Sequence, residues 1–419
     1  MYGNMCSGSI IVLNKYNLER SLRLIDEFDD VYIIEDHFDK KYLNKLKDLL
    51  EYIGKKIEFV NSSNILENQQ YFEIDPIWRY ENKIDKKEIE NLYYSEFDFS
   101  CDHGKILQYI ASPFEEGNTS YRRLKINKYF KENGWNTDTI FANTDNETYL
   151  KMLFDKKYDY IYVSHPSSSA ILCVKARLDG SVLIYDRTDN WSSMGENQAL
   201  EEKRLFIEAK YLFTSAKYLY DSIPENERKK AEFVPNGTTI RPYRKVEKYE
   251  RKTAIYAGRQ PMKLDFARFI KLAKDNPDWD IKLYGLINLE YWFDKLYNRD
   301  FLPKNFYFVD RVSEDELHEV LLKSHVGLIF FKDIDWVEGM LPLKVFNYCN
   351  AHIPTAYQNC PEIVNYPMCF DINKYTLDEI LEKSPSDEEY EIINQQSDWN
   401  KKFDYITNVF TGKIRGEVK

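Results

Sequence analysis

Short apolar runs alternate with helical stretches along most of this chain, and that alternation restricts the fold more than any other feature. Apolar runs bounded by turn residues read as strands, and strands separated by helices pair in parallel, since a parallel pair needs a long crossover. Strands are expected over 9–13, 31–35 and 57–60, with helices over 18–28 and 41–53; the second helix carries Leu43, Leu46, Leu49 and Leu50. Residues 64–99 are polar and aromatic with weak periodicity, a linker with one helix near 86–93.

The pattern starts afresh after residue 100. A strand over 105–111 leads through a loop at 112–120 to a helix over 121–133, closed by Gly134 where a helix-ending glycine belongs. Strands follow over 137–141, 158–164, 181–185 and 211–215, with a long helix over 196–210 and a turn signal at Val234-Pro235-Asn236-Gly237. The charged stretch 241–252 reads as an exposed linker. A second series then opens with a strand and loop over 253–259. Helices over 265–274 and 314–323 and strands over 279–284, 306–309 and 326–331 continue it, and an amphipathic helix ends near 410. The fold expected is α/β. It has an N-terminal α/β extension over 1–100, a Rossmann-like domain over 104–245 and a second over 250–396. The terminal helix 397–412 packs back on the first domain. Open parallel sheets take ligands outside the carboxyl ends of their strands, so two of them joined by a linker make a site between domains.

Composition narrows the function. A length of 419 residues suits two or three domains, and 43% hydrophobic residues suffice for their cores. A net charge of −11 argues against a general nucleic-acid binder. The six cysteines contain no C-x-x-C pair, which argues against a disulfide framework or zinc site and fits a reducing cytoplasm. The sequence opens Met-Tyr-Gly-Asn-Met-Cys, without a signal-peptide pattern, and no uncharged apolar run approaches membrane-spanning length.

The stretch after strand 326–331 carries the clearest chemistry. Pro342 stands two residues before Lys344, where a helix would start without missing the proline N–H. The amides of Met340, Leu341 and Leu343 around it, with the Lys344 ammonium, would make an anion site at that helix start; an ordinary strand–loop–helix unit is the plainer alternative.

The order of these pieces resembles the GT-B glycosyltransferases. Within them it is most similar to the bacterial branch that builds surface polysaccharides, the teichuronic-acid and xanthan glucuronosyltransferase types. The resemblance runs over roughly 104–412. It rests on the strand and loop 106–118, on Tyr185-Asp186-Arg187-Thr188-Asp189-Asn190-Trp191 and on Val234-Pro235-Asn236-Gly237. Further along it takes in Tyr256-Ala257-Gly258-Arg259 with Asp265, Pro277-Asp278-Trp279 with Gly285, and Pro342-Leu343-Lys344-Val345-Phe346-Asn347-Tyr348 with Ala351, Ile353 and Pro354. Two departures stand out. Asn347 replaces the glutamate usual there, and Gly339 occupies the first position of the broader E-x7-E pattern.

The resemblance implies a nucleotide-diphosphate sugar donor, UDP-linked, and a glycan or lipid-linked hydroxyl acceptor. Arg259, Lys263 and Lys344 would face the diphosphate, or alternatively be solvated surface charges, and Asn347 would reach the donor ribose. Glu116-Gly117-Asn118 would form a cleft loop or a plain turn. Asp189 would be the general base or, alternatively, a helix cap. His165 would be a second cleft residue or a structural histidine. No metal or other cofactor is expected, cationic side chains taking the metal's role; Asp333-Ile334-Asp335 reads as loop. The basic aromatic helix 121–131 would suit an anionic lipid surface, or be a solvated face, which places the protein in the cytoplasm or at the inner face of the membrane. Two rivals are a UDP-sugar epimerase or hydrolase of the same fold and a catalytically silent nucleotide-sugar-binding subunit.

Overall fold

A computed structural model of the chain describes residues 10–13, 18, 22, 25, 28–60, 103–110, 122–141, 144–258, 262–285 and 302–413. Three sheets emerge, with parallel pairing throughout. The first holds β1 (Ile10–Leu13), β2 (Asp30–Ile34) and β3 (Lys56–Val60) in that order. The second is built from β4 (Lys105–Tyr109), β5 (Asn136–Ile140), β6 (Tyr160–Val163), β7 (Val182–Arg187), β8 (Tyr211–Thr214) and β9 (Ala231–Phe233), ordered β5-β4-β6-β7-β8-β9. The third contains β10 (Thr253–Ala257), β11 (Asp280–Tyr284), β12 (Phe306–Val309), β13 (Val326–Phe330), β14 (Thr355–Gln358) and β15 (Cys369–Asp371), ordered β12-β11-β10-β13-β14-β15.

Strand order reverses between β4 and β6 in the second sheet and between β10 and β13 in the third. A crevice opens where neighbouring strands send their connections to opposite faces, so these four strand ends mark the places for a ligand. β10 and β13 are buried at every residue, as strands covered on both faces must be. The helix Leu343–Asn350 lies close on β13: a Cβ at Gly327 would overlap the Tyr348 ring. The Tyr348 hydroxyl donates to Leu328 O at 3.3 Å and accepts from Ala257 N at 3.2 Å. One side chain thus fixes the helix to both strands at the switch point.

Side-chain caps set several helix starts. Ser313 and Glu316 form a capping box for Glu314–Lys323, whose first turn is acidic and whose last turn holds Lys323, both matching the helix dipole. Thr376 with Glu379 and Ser386 with Glu389 do the same for Leu377–Glu382 and Asp387–Gln396. The helix Trp399–Phe410 crosses to the second sheet, where Trp399, Phe403, Ile406 and Phe410 share a core with Ile106, Tyr162, Ile184 and Phe213. On the other face, the helix Lys40–Tyr52 joins the N-terminal sheet to the helix Asn146–Phe154. There burial alone would raise the Asp155 carboxyl, but bonds from Lys41, Tyr42 and Lys45 hold it at about 2.

Beyond short elements at 146–154, 231–233, 355–358, 369–371, 377–382 and 387–396 that the sequence reading did not name, three departures bear on the site. β7 runs past residue 185, so Asp186 and Arg187 are buried in the strand. Each survives burial by pairing: Arg122 Nε donates to Asp186 at 2.8 Å, and Arg187 grips Glu202 at 2.7 and 2.9 Å. The helix Ser169–Asp179 occupies a stretch read without one; it is buried nearly all round and has no polar face to reveal its period. The stretch 241–252 is partly fastened. Tyr243 stacks on His352 at 3.6 Å, and Lys248 Nζ donates to Ser324 O at 2.8 Å.

Candidate functional site

At the third sheet, the strand ends of β10 and β13 bring Lys263 and Lys344 together. Gly258 follows β10, and a Cβ there would lie 2.6 Å from the Tyr256 hydroxyl, 2.7 Å from Lys344 Cε and 2.9 Å from Lys344 Nζ. Only a residue without a side chain leaves that space for the lysine. Lys344 Nζ stands 5.0 Å over the Tyr256 ring; Lys263 Nζ stands 5.3 Å over Phe331 and 3.2 Å from Met340 Sδ. Burial, and next the nearby Lys263 charge, push the Lys344 ammonium down to about 7. Burial likewise lowers Lys263, opposed by Asp189 across the cleft. Burial pushes the Cys360 thiol up to about 12, so it carries no neutralising charge. Among the described residues no carboxylate forms an ion pair with either lysine; Asp189 acts on Lys263 only from further off.

Pro342 is the cap of Leu343–Asn350, with no side-chain capping bond, so the first amides of that helix lack acceptors within it. Met340 contributes differently from expectation, since its amide already donates to Val337 O at 3.1 Å. Leu341 is buried, and its carbonyl accepts from Asn236 Nδ2 of the first domain at 2.8 Å. Asn347 stands apart from the lysines: its Oδ1 accepts from Thr238 Oγ1 at 3.0 Å, and it lines a separate cavity with Lys125, Glu314 and Trp399. Arg259 and the loop Glu116-Gly117-Asn118 lie outside the described residues.

The facing wall comes from the ends of β6 and β7. His165 Nδ1 meets Ser167 Oγ at 2.7 Å, and its ring lies 4.1 Å from that of Trp191. Asp189 is half-buried, and its Oδ2 accepts from Arg123 Nη2 at 3.2 Å and from Thr188 Oγ1 at 3.0 Å. It caps no helix: the 3-10 turn Trp191–Ser193 begins at Asn190 without a side-chain cap, and Gly195 precedes Glu196–Glu208. The loop bearing Lys344 is fastened to this wall. Gly339, at φ +72, lies against Tyr218 and Leu219, where a Cβ would come within 2.8 and 2.9 Å. Glu362 accepts the Lys217 and Tyr218 amides at 2.8 and 2.7 Å, and Tyr218 also bonds Glu338 and Asn190.

Sequence reading had no role in the cleft for Arg123, Gly258 or Tyr218. The consecutive Arg122-Arg123 is a visible signal, which the sequence reading assigns to a lipid-facing or a solvated helix face. In the structure Arg122, Arg123 and Lys125 point into the protein toward Asp186, Asp189 and Glu314, leaving Lys128 exposed. Among the described residues, no helix is long and apolar enough to cross a membrane, and no cluster of histidine, cysteine and carboxylate groups suits a metal.

Two Rossmann-like parallel-sheet domains meeting across a cleft at their switch points make the GT-B fold, to which this chain adds a small parallel sheet at its start. No protein-family model matches the chain, and no curated protein matches its sequence. Among solved structures, Anabaena HepE in complex with UDP-glucose is similar over 74% of this chain and 100% of its own, with 11% identity and a TM-score of 0.55. Sucrose-phosphate synthase from Thermosynechococcus elongatus aligns over 74% of this chain and 98% of its own, with 9% identity and a TM-score of 0.56. An alpha-glucosyltransferase in complex with UDP and a 13-mer DNA aligns over 74% of this chain and 100% of its own, with 13% identity and a TM-score of 0.51. Identities this low establish a shared fold.

Proposed function

We propose that this chain is a glycosyltransferase that moves a sugar from a nucleotide-diphosphate donor, UDP-linked, to a hydroxyl acceptor in cell-surface polysaccharide or glycoconjugate synthesis. The observation that carries the reading is the Lys263–Lys344 pair, two half-buried cations at a switch point beside an uncapped helix start, with no carboxylate ion-paired to them. Like charges held together out of water are costly unless an anion completes the site. The neighbours solved with UDP-glucose and with UDP support the identity of that anion.

In this reading Lys344, Lys263, Arg259 and the amides of Leu343 and Lys344 receive the diphosphate, and Asn347 would meet the ribose only by giving up its bond from Thr238. Asp189 takes the proton of an acceptor hydroxyl. The acceptor oxygen then bonds the anomeric carbon while the carbon–oxygen bond to the diphosphate breaks, and UDP leaves with the electron pair. Charge growing on the leaving diphosphate is stabilised by fixed cations and N–H dipoles. His165 and the Glu116-Gly117-Asn118 loop border the acceptor side, and no metal is required. The order of motifs supports the surface-polysaccharide branch, with a glycan or lipid-linked acceptor at the cytoplasmic face of a membrane. The domains divide as 1–100, 104–245 with 397–412, and 250–396.

Incubation with several UDP-sugars tests the reading. UDP release that rises with a hydroxyl acceptor supports transfer. An epimerised sugar or acceptor-independent free sugar favours the epimerase or hydrolase, and binding without turnover favours the silent subunit. Arg259→Ala and Lys344→Ala each weaken UDP binding in calorimetry; unchanged affinity removes the diphosphate assignment.

A further inference from the structure

The motif Tyr185-Asp186-Arg187-Thr188-Asp189-Asn190-Trp191 holds two aspartates, and the helix Arg122–Glu132 begins with two arginines. The structure matches them in register. Arg122 is buried, donating to Asp186 Oδ2 at 2.8 Å and to Val234 O at 2.7 Å. That lower pair fastens the helix start to β7 and to the exit of β9. Fastened there, the next residue, Arg123, reaches the cleft. Its Nη1 donates to Ile110 O at 3.1 Å, just beyond the end of β4. Its Nη2 spans Thr188 Oγ1 and Asp189 Oδ2, both at 3.2 Å, and its guanidinium stands 5.4 Å over the Trp191 ring, which also packs on His165. Asp189 Oδ2 therefore holds two donors, whereas Oδ1 accepts none among the described residues.

We infer that Arg123 is a positioning residue: it clamps Asp189 by one carboxylate oxygen and turns the other toward the acceptor hydroxyl. The inference rests on the transferase reading and deepens it. A planar guanidinium holds the end of β4, Thr188 and Asp189 with donors fixed in one plane and spread over two nitrogens, a geometry the single rotating nitrogen of an ammonium does not reproduce. A carboxylate of one fixed orientation meets the hydroxyl in a near-attack geometry, and misplacement by about 1 Å costs on the order of 10²-fold in rate. Among the described residues, Lys263 from the third-sheet domain and Tyr185 from β7 also feel the Asp189 charge. Neither bonds it, so the orientation depends on Arg123 and Thr188.

The test follows UDP release from UDP-glucose, UDP-galactose, UDP-glucuronate and UDP-N-acetylglucosamine, with glycerol as hydroxyl acceptor. Arg123→Ala is expected to lower kcat by about 10²-fold while the Kd for UDP stays within about twofold, because the donor lysines sit on the other domain. Added guanidinium ion restores about tenfold of that loss, and sodium ion at equal concentration restores none, a response that a merely structural role would not show. Arg123→Lys keeps the charge without the fork and stands in should the alanine variant not fold; it too loses kcat but not UDP affinity. A wild-type protein that turns over a donor beside an Arg123→Ala or Arg123→Lys variant within threefold of its kcat overturns the inference alone. A wild type that releases UDP from none of these donors, whether or not it binds UDP, overturns the transferase reading and this inference with it.

Discussion

Raising the pH should loosen UDP. Lys344 is pushed down to about 7 in the ligand-free protein by burial and by Lys263. A diphosphate beside it supplies the missing negative charge and returns the ammonium toward its ordinary value of 10.5. Between those two values the complex binds more protons than the empty protein, so affinity must fall as pH rises. The useful window is pH 7.5 to 9, where a phosphate with a second pKa near 6 is already fully ionised and adds no slope of its own. Over that window the protonated share of empty sites falls from about one quarter to about one hundredth. The expected Kd rises about 25-fold, or about 1.9 kcal/mol. Calorimetry at pH 8 in two buffers of different ionisation enthalpy should show uptake of about 0.9 proton per UDP bound. Lys344→Arg, whose guanidinium does not deprotonate in this range, should flatten the pH profile. A Kd constant within twofold from pH 7.5 to 9, with no proton uptake, would refute the assignment of Lys344 to the diphosphate.

Further outcomes follow from the same geometry. Gly258→Ala places a methyl group 2.6 Å from the buried Tyr256 hydroxyl and 2.7 Å from Lys344 Cε, so UDP affinity should fall about tenfold in calorimetry and the melting temperature should fall with it, the lysine end moving aside more easily than the tyrosine. Asp189→Asn should abolish turnover while the Kd for UDP stays the same; an active variant would sink the base. EDTA should leave UDP release unaltered, and a loss of activity restored by a divalent cation would contradict the metal-independent reading. Phe403 is 1% exposed and stacks on Trp399, so Phe403→Ala should cost about 3–5 kcal/mol of stability in denaturant unfolding.

Much of the third sheet was legible because its central strands are buried at every residue and stand between turn residues. Val326–Phe330 and Thr253–Ala257 announce themselves by apolar composition alone. Elements whose environment is uniform were harder: Ser169–Asp179 presents no polar face, and the Pro166-Ser167-Ser168-Ser169 run that leads into it reads as a loop. Asp186 and Arg187 were misplaced for a related reason. Charges in a strand are credible only when their partners are known, and Arg122 and Glu202 come from distant parts of the chain. The site shows the same division. Lys344 was visible locally, through Pro342 and the strand before it. Arg123 gained a role only once chain crossing brought the end of β4 beside the end of β7.

The two walls of the cleft are joined by direct bonds that would have to change if the domains moved. Glu362 binds two amides at the start of Lys217–Asp221, and Asn236 binds the Leu341 carbonyl beside the helix that carries Lys344. Gly339 fits against Leu219 with no space for a side chain. These fastenings hold Lys344 close to the wall that carries Asp189, so the separation between diphosphate and base is set by loop contacts as well as by the sheets. Interfaces of this polar kind permit relative domain motion. Such motion would alter the Lys263–Asp189 interaction first, because those two charges act across the cleft without a bond. A bound diphosphate, by drawing Lys263 toward itself, would weaken that attraction and leave Asp189 held by Arg123 and Thr188 on its own wall. On the proposed reading, donor binding would change the charge around Asp189 through one lysine while Arg123 and Thr188 keep its orientation, which gives a physical reason for Lys263 to be a cation that burial makes costly.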